Sequence, residues 1–341
     1  MNSNSKHSRI AVLGGGSWGI AVAVHLHECG HQVNLWEFNP EDAEMLAVQR
    51  MHSTKLPGIV IPEAIIIDND LSRSIEDVGV IALAVPSQSV RSVCRNIASN
   101  LNHKQLIVNL AKGIETGSLK RMSEIMVEEL GVDYTDNVMT LSGPSHAEEV
   151  SRKIPTTVTV AGIDITNLEF IQKMFYSVDF RVYTNTDLIG VELAGSLKNI
   201  IAIAAGICDG LGFGDNTKGA LLTRGLAEIT RLGLEMGAKQ ETFAGLSGLG
   251  DLITTCLSKH SRNRFVGEQI GMGKSLDEVL AEMTMVAEGI KTAKAANQLA
   301  DRHEIDMPIT KEMYSILFEG KSPKVAVETL MSRLPKPEVR R

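Results

Sequence analysis

"RIAVLGGGSWGIAVAVHLHECG", Arg9 to Gly30, reads as strand, turn and helix in direct succession. Five strand-like residues, Arg9 to Leu13, run into Gly14, Gly16 and Gly19 at G-x-G-x-x-G spacing, and a segment rich in Ala and Val follows. In that setting the first glycine permits the tight turn, the second lets backbone amides approach a pyrophosphate, and the third lets helix and strand pack closely. The positive end of the helix then favours the negative charge. The next strand, "HQVNLWEF", ends in Glu37, eighteen residues past Gly19, where a carboxylate accepts hydrogen bonds from an adenosine ribose. Glycines of an ordinary tight turn imitate this spacing. The flanking strand and helix favour a dinucleotide.

Further along, "VGVIALAVPSQSV" reads as a buried strand ending at Pro86, "QLIVNLAKGIE" as one ending near Lys112, and "NVMTLSGPSHAEEV" as one ending at Gly143. Continuous apolar runs separated by helical segments point to a parallel sheet covered on both faces. Ligands of such sheets bind at the carboxyl ends of the strands, so Pro86, Lys112 and the Gly143-Pro144-Ser145 turn should surround one crevice. On its own Lys112 reads more readily as a solvated loop charge; its place at the crevice shifts the balance. "TTVTVAG" and "DFRVYTNTD" complete the sheet; from Asp187 onward helical spacing takes over. The spacing predicts an α/β chain: a Rossmann-type domain over 8–187, followed by an all-α C-terminal domain over 188–332.

The helical half holds one unusual charge. In "VELAGSLKNIIAIAAG", Val191 to Gly206, Lys198 shares a helix face with Val191, Ala194, Gly195, Ile201, Ala202 and Ala205. Either its stem snorkels to water or its ammonium has a buried partner. "GLSGLGDLITTC" presents Asp251 between a Gly-rich turn and a helix, the position of an N-cap. "SKHSRNR" gathers Lys259, Arg262 and Arg264, a solvated basic loop unless Ser261, Arg262 and Asn263 combine hydroxyl, forked guanidinium and amide around a phosphate.

Composition bounds the function. At 341 residues two domains are expected, and 43% hydrophobic with 22% charged residues describes an ordinary globular chain. A net charge of −7 argues against nucleic acid as the main partner, so any anion must be held by a local cluster. Cys29, Cys94, Cys208 and Cys256 lie far apart without a C-x-x-C pair, which fits a reducing, cytoplasmic setting. The N-terminal "MNSNSKHSRI" is a polar lead-in, and no uninterrupted apolar run approaches the roughly 20 residues that cross a bilayer. His25, His27, Cys29 and His31 lack zinc-ligand spacing, so no metal is expected.

Taken in order, "GGGSWG", "LAVPSQ", "NLAKGIE", "LSGPSHAEEV", "VELAGSLKNIIAIAAG", "LTRGLAEITRLG", "GLSGLGDLITTC" and "SRNR" resemble the NAD(P)-dependent glycerol-3-phosphate dehydrogenases, specifically the bacterial enzyme of phospholipid precursor synthesis. The resemblance covers nearly the whole chain. It implies a two-domain oxidoreductase that interconverts dihydroxyacetone phosphate and sn-glycerol 3-phosphate with NAD or NADP. It implies that Lys198 transfers the proton, that Asp251 is a second catalytic position, and that Lys112 contacts cofactor and substrate. Gly143, Ser145, Lys198, Asp251, Ser261, Arg262 and Asn263 fall on its substrate positions. Ser17, Trp18, Phe38, Ala147, Val286 and Glu288 join the glycine turn, Glu37, Lys112 and Arg262 as cofactor positions.

One position departs from the pattern of NADPH use: Glu37 and Phe38 close the second strand, with no Arg, Lys or His beside them to meet a 2′-phosphate. That leans weakly towards NADH, with both cofactors kept. The expected partner is a small phosphate-bearing substrate, with no nucleic acid and no stable membrane insertion, and a homodimer stays open. A hydroxy-acid dehydrogenase of the same architecture, which has less need of the "SRNR" cluster, and a non-catalytic NAD-sensing module, which needs only the first half of the chain, are the alternatives.

Overall fold

The computed structural model describes residues 8–335, 337 and 338, so most of the polar lead-in lies outside the described residues. Eight strands form one sheet: β1 (Arg9–Leu13), β2 (Gln32–Trp36), β3 (Ile66–Asp68), β4 (Val80–Leu83), β5 (Leu106–Asn109), β6 (Val138–Ser142), β7 (Thr156–Ala161) and β8 (Phe180–Asn185). Between them run α1 (Ser17–Glu28), α2 (Pro40–Gln49), α3 (Leu71–Ser74), α4 (Val90–Ile97), α5 (Met122–Leu130), α6 (Ala147–Val150) and α7 (Ile165–Phe175). After the sheet come α8 (Leu188–Gly210), α9 (Asp215–Glu235), α10 (Gln240–Phe243), α11 (Asp251–Leu257), α12 (Arg262–Gly271), α13 (Leu276–Glu282), α14 (Glu288–Arg302), α15 (Pro308–Phe318) and α16 (Pro323–Met331).

The strand order is β3-β2-β1-β4-β5-β6-β7-β8. Alternate residues of β1 enter different cores, Ile10 and Val12 on one face and Ala11 and Leu13 on the other. Both faces are covered by helices, which is why the strands read as unbroken apolar runs. Register aligns the carboxyl ends: Leu13 pairs with Trp36 and Leu83, Leu83 with Asn109, and Asn109 with Thr140. The turns after these strands, with Gly14, Glu37, Lys112 and Gly143, therefore open along one edge.

One expectation is corrected. β7 runs antiparallel to β6, and the connection at 143–155 holds only the one-turn α6, with no helix long enough to cross the sheet; β8 then returns parallel to β7 through α7. α8 is 23 residues long with a mean hydropathy of 1.6 in its most apolar window, although Glu192, Lys198 and Asn199 keep it from being an uninterrupted apolar run. That window is 94% buried, because α9, α11, α12 and α14 surround the helix and take up its apolar surface. Asp187 starts α8 by accepting the Gly190 amide at 3.0 Å, and its other oxygen ties in the Lys239 amide at 2.8 Å. His25 of α1 and His31, in the turn before β2, direct Nε2 to the carbonyls of Phe175 and Met174 on α7, at 2.8 and 3.1 Å, as packing contacts.

Candidate active site

Lys198 lies in the middle of α8 and is 5% exposed, so it does not snorkel. Its Nζ donates to Asp251 Oδ1 at 2.9 Å and to the hydroxyl of Thr255. Asp251, 2% exposed, opens α11, yet Gly250 holds the capping position and the carboxylate turns away from its own helix amides. Its Oδ2 accepts Lys112 Nζ at 2.7 Å, and that ammonium also donates to the Gly143 carbonyl at 3.0 Å. One carboxylate thus bridges two lysines, one from the edge of the sheet and one from the central helix.

Burial pulls the Lys198 ammonium down to about 8, with the Lys112 charge helping and Asp251 opposing. For Asp251 burial works the other way, but the two ammonium groups and their hydrogen bonds outweigh it and hold the carboxyl below the usual carboxylate range. A fixed anion therefore faces an ammonium that titrates close to neutral pH. Lys198 has three donors and, among the described residues, two partners, which leaves one N–H for a ligand. His146, next to Ser145, has a lowered pKa from burial and from the Lys198 charge.

The glycine turn fits a dinucleotide. A Cβ on Gly19 would lie 1.8 Å from the Gly14 carbonyl oxygen, so helix and turn meet backbone to backbone. Gly16 caps α1 in an extended conformation without any side-chain cap, and a Cβ there would meet nothing within 4 Å, leaving the first amides of α1 open to a diphosphate. Gly15 was not accounted for by the motif; its missing Cβ makes room for Glu37, whose Oε2 would otherwise be 2.4 Å away. Trp18 packs on the core beneath the turn, while the Phe38 ring is 79% exposed.

The remaining candidates divide. Ser145 donates to the Gly143 carbonyl at 3.0 Å, and Ala147 begins α6 beside it. Ser261 caps α12 by accepting the Arg264 amide, and Arg262, the first residue of that helix, is exposed. Arg264 leaves the basic cluster: it pairs with Asp209 at 2.7 Å and bonds Glu268. Asn263 donates to Asn199 and accepts from the Gly289 amide, both at 2.9 Å, so its amide ties α12 to α8 and α14. Backbone contact sets α12 against α8, since a Cβ on Gly267 would lie 1.9 Å from the Ile203 carbonyl. Both Glu288 oxygens accept from Ser87, at 2.9 Å from the amide and 2.5 Å from the hydroxyl, and Val286 is half-exposed close by.

Three residues of the site were not singled out in the sequence: Thr255 and Ser87, which lie inside quoted motifs, and Lys55, which lies outside them. Thr255 was within reach of sequence reasoning, one helical turn after Asp251. Ser87 and Lys55, whose backbone carbonyl accepts the Ser17 hydroxyl, are brought in only by the fold.

Two family models match the chain. The N-terminal model of NAD-dependent glycerol-3-phosphate dehydrogenase covers residues 9–168 and the C-terminal one residues 187–328. A glycerol-3-phosphate dehydrogenase (NAD(P)+) of Prosthecochloris aestuarii is 54% identical over 97% of this chain and 99% of its own length. One from Thermoanaerobacter is 52% identical, again over 97% and 99%. The crystal structure of glycerol-3-phosphate dehydrogenase from Coxiella burnetii superposes with a TM-score of 0.92 at 38% identity, covering 96% of this chain and 99% of that one. A D-mandelate dehydrogenase shares the fold alone, with a TM-score of 0.61 at 14% identity.

Proposed function

The chain belongs to the NAD-dependent glycerol-3-phosphate dehydrogenase family, and from that premise we propose how its own residues carry the reaction. The enzyme interconverts dihydroxyacetone phosphate and sn-glycerol 3-phosphate with NAD or NADP, a step that supplies glycerophospholipid synthesis. When bound, the nicotinamide supplies the hydride to the ketone carbon or takes it back from the alcohol. Lys198 donates a proton to the carbonyl oxygen as its charge develops, and its cationic head stabilises that oxygen beforehand. In the reverse direction neutral Lys198 accepts the hydroxyl proton. Asp251 keeps the ammonium oriented and charged, and Lys112, held between Asp251 and Gly143, adds a second positive centre at the same edge.

Arg262 binds the substrate phosphate, and that remote binding energy positions the carbonyl. Ser145, Ser261, Asn263 and Gly143 line the substrate side. Ser17, Trp18, Glu37, Phe38, Ala147, Val286 and Glu288 hold the cofactor along with the glycine turn. In this proposal residues 8–187 supply most of the dinucleotide site, and 188–332 carry the acid and most of the substrate site. The enzyme works in the cytoplasm as a homodimer; sedimentation at assay concentration checks the assembly, and an active monomer overturns it.

The observation that carries the mechanism is the buried Lys198–Asp251–Lys112 chain, with one lysine donor left over. Oxidation of NADH and NADPH is compared in parallel with dihydroxyacetone phosphate and with glyceraldehyde 3-phosphate. Turnover confined to the ketone, with loss of tight substrate binding in Arg262→Ala, is the expected result. An Arg262→Ala enzyme with an unchanged KM makes the cluster a solvated loop.

A further inference from the structure

A carboxylate at the end of the second strand suits a free ribose and repels a phosphate on it. In this fold Glu37 does not act alone. The loop after α2 carries Lys55 back to the glycine turn, where its backbone carbonyl accepts the Ser17 hydroxyl. His52 Nδ1 accepts the Lys55 amide at 3.2 Å and steadies the same loop. Lys55 Nζ consequently lies 3.9 Å from Glu37 Oε2 and 2.9 Å from Asp42 Oδ2. Glu37 is itself anchored, Oε1 accepting the Asn39 amide at 3.1 Å and the carboxylate lying over Gly15. The cation missing beside Glu37 in the sequence is therefore present in space, eighteen residues further along the chain.

We infer that Lys55 reads the 2′ position of the adenosine ribose and gives the enzyme its access to NADPH, exchanging Asp42 for the phosphate. The inference rests on the dinucleotide assignment of the glycine turn and deepens it. A phosphate esterified to a ribose hydroxyl that Glu37 would otherwise hold meets an ammonium about one hydrogen bond away. A lysine suits this exchange, because its flexible stem carries a point charge that changes partner without needing a fixed fork. Asp42 is partly exposed, so water takes over its solvation once Lys55 leaves. With a free ribose, Lys55 stays on Asp42 and screens Glu37, and NADH binds undisturbed. Phe38, next in sequence to the acid, offers no charge to either cofactor.

Both tryptophans, Trp18 and Trp36, flank the turn, so energy transfer from them reports binding of NADH or NADPH to the free enzyme without turnover. Wild type should bind both. Lys55→Ala should weaken NADPH about tenfold or more and leave NADH within about threefold, the size of one lost charge-assisted hydrogen bond. Lys55→Arg should retain NADPH, and Asp42→Asn, which frees the lysine, should tighten it. A wild type blind to NADPH overturns the inference, as does Lys55→Ala weakening both cofactors alike or neither. No substrate enters the titration, so an enzyme that binds both cofactors and fails to reduce dihydroxyacetone phosphate counts against the proposed reaction and leaves Lys55 standing.

Discussion

Helix α8 buries two opposite charges six residues apart, and they are satisfied to different degrees. Glu192 accepts from Arg121 at 2.7 Å, from the Ser123 amide at 2.8 Å, from the Ser123 hydroxyl at 2.6 Å and from Thr140 at 3.2 Å. Four donors fill its four lone-pair sites, and the carboxylate fastens α8 to α5 and β6. Lys198 has two acceptors for three donors. Burial is nearly equal, so it does not separate the roles; the unfilled hydrogen-bonding capacity does. A saturated buried charge holds elements together, whereas an unsaturated one beside a crevice is available to a ligand.

The largest effect expected from breaking this contrast is chemical. Lys198→Met keeps most of the stem volume and removes charge and proton, so folding and cofactor binding should survive. Loss of a positioned acid should lower kcat on the order of 10²–10⁴. Lys198→Arg should recover little, because guanidinium does not readily release a proton. The check is kcat of the folded variants, with NADH affinity titrated separately. A Met variant turning over within a few-fold of wild type makes Lys198 a packing residue.

Next in size is the structural counterpart. Glu192→Ala leaves the Ser123 amide and a half-buried Arg121 without their acceptor, and should destabilise the protein by about 3–5 kcal/mol, as removal of one partner of a buried pair does. The enzyme that stays folded should keep kcat within a few-fold. Chemical denaturation and kinetics at low temperature separate the two readouts. Intact stability with a collapsed kcat would reverse the assignment of roles along α8.

A third effect is read as a position on the pH axis. Ketone reduction needs protonated Lys198, so its rate should fall as pH rises through about 8, and alcohol oxidation, which needs the neutral amine, should rise over the same range. Asp251 favours the charged form, so Asp251→Asn should move both limbs to lower pH. Limbs that stay in place would mean that another group titrates in the rate. Glu192→Ala, as the control on the same helix, should leave them unmoved.

Lys198 was conspicuous in the sequence because helical periodicity places it among small apolar residues, and the glycine turn because its flanks switch period from strand to helix. These are local signals. What stayed hidden depends on contacts between distant segments: whether Asp251 caps its helix or meets two lysines, and that Lys55 returns to Glu37. Arg262 and Arg264 look alike in "SRNR", yet two residues are about 200° of helix, so one faces out and the other turns to Asp209. The reversal at β7 was missed because an apolar strand carries no mark of its direction.

The smallest effect tests whether the remaining donor of Lys198 is set by its partners. Thr255 accepts from Nζ and its hydroxyl donates a hydrogen bond to Asp251 Oδ1 at 3.2 Å, which makes it a spacer between the ammonium and the carboxylate. Thr255→Val keeps the shape and deletes the hydroxyl. The ammonium then has one fixed acceptor and is less well aimed, and kcat should fall by about tenfold, the low end of the scale of one hydrogen bond to a charged group. Thr255→Ser restores the oxygen without the methyl and should restore most of kcat. A structural defect would instead follow the missing methyl, so Ser would be impaired and Val would not. If neither substitution changes kcat, Asp251 alone aims the lysine, and the contrast with Glu192 then rests on one anion.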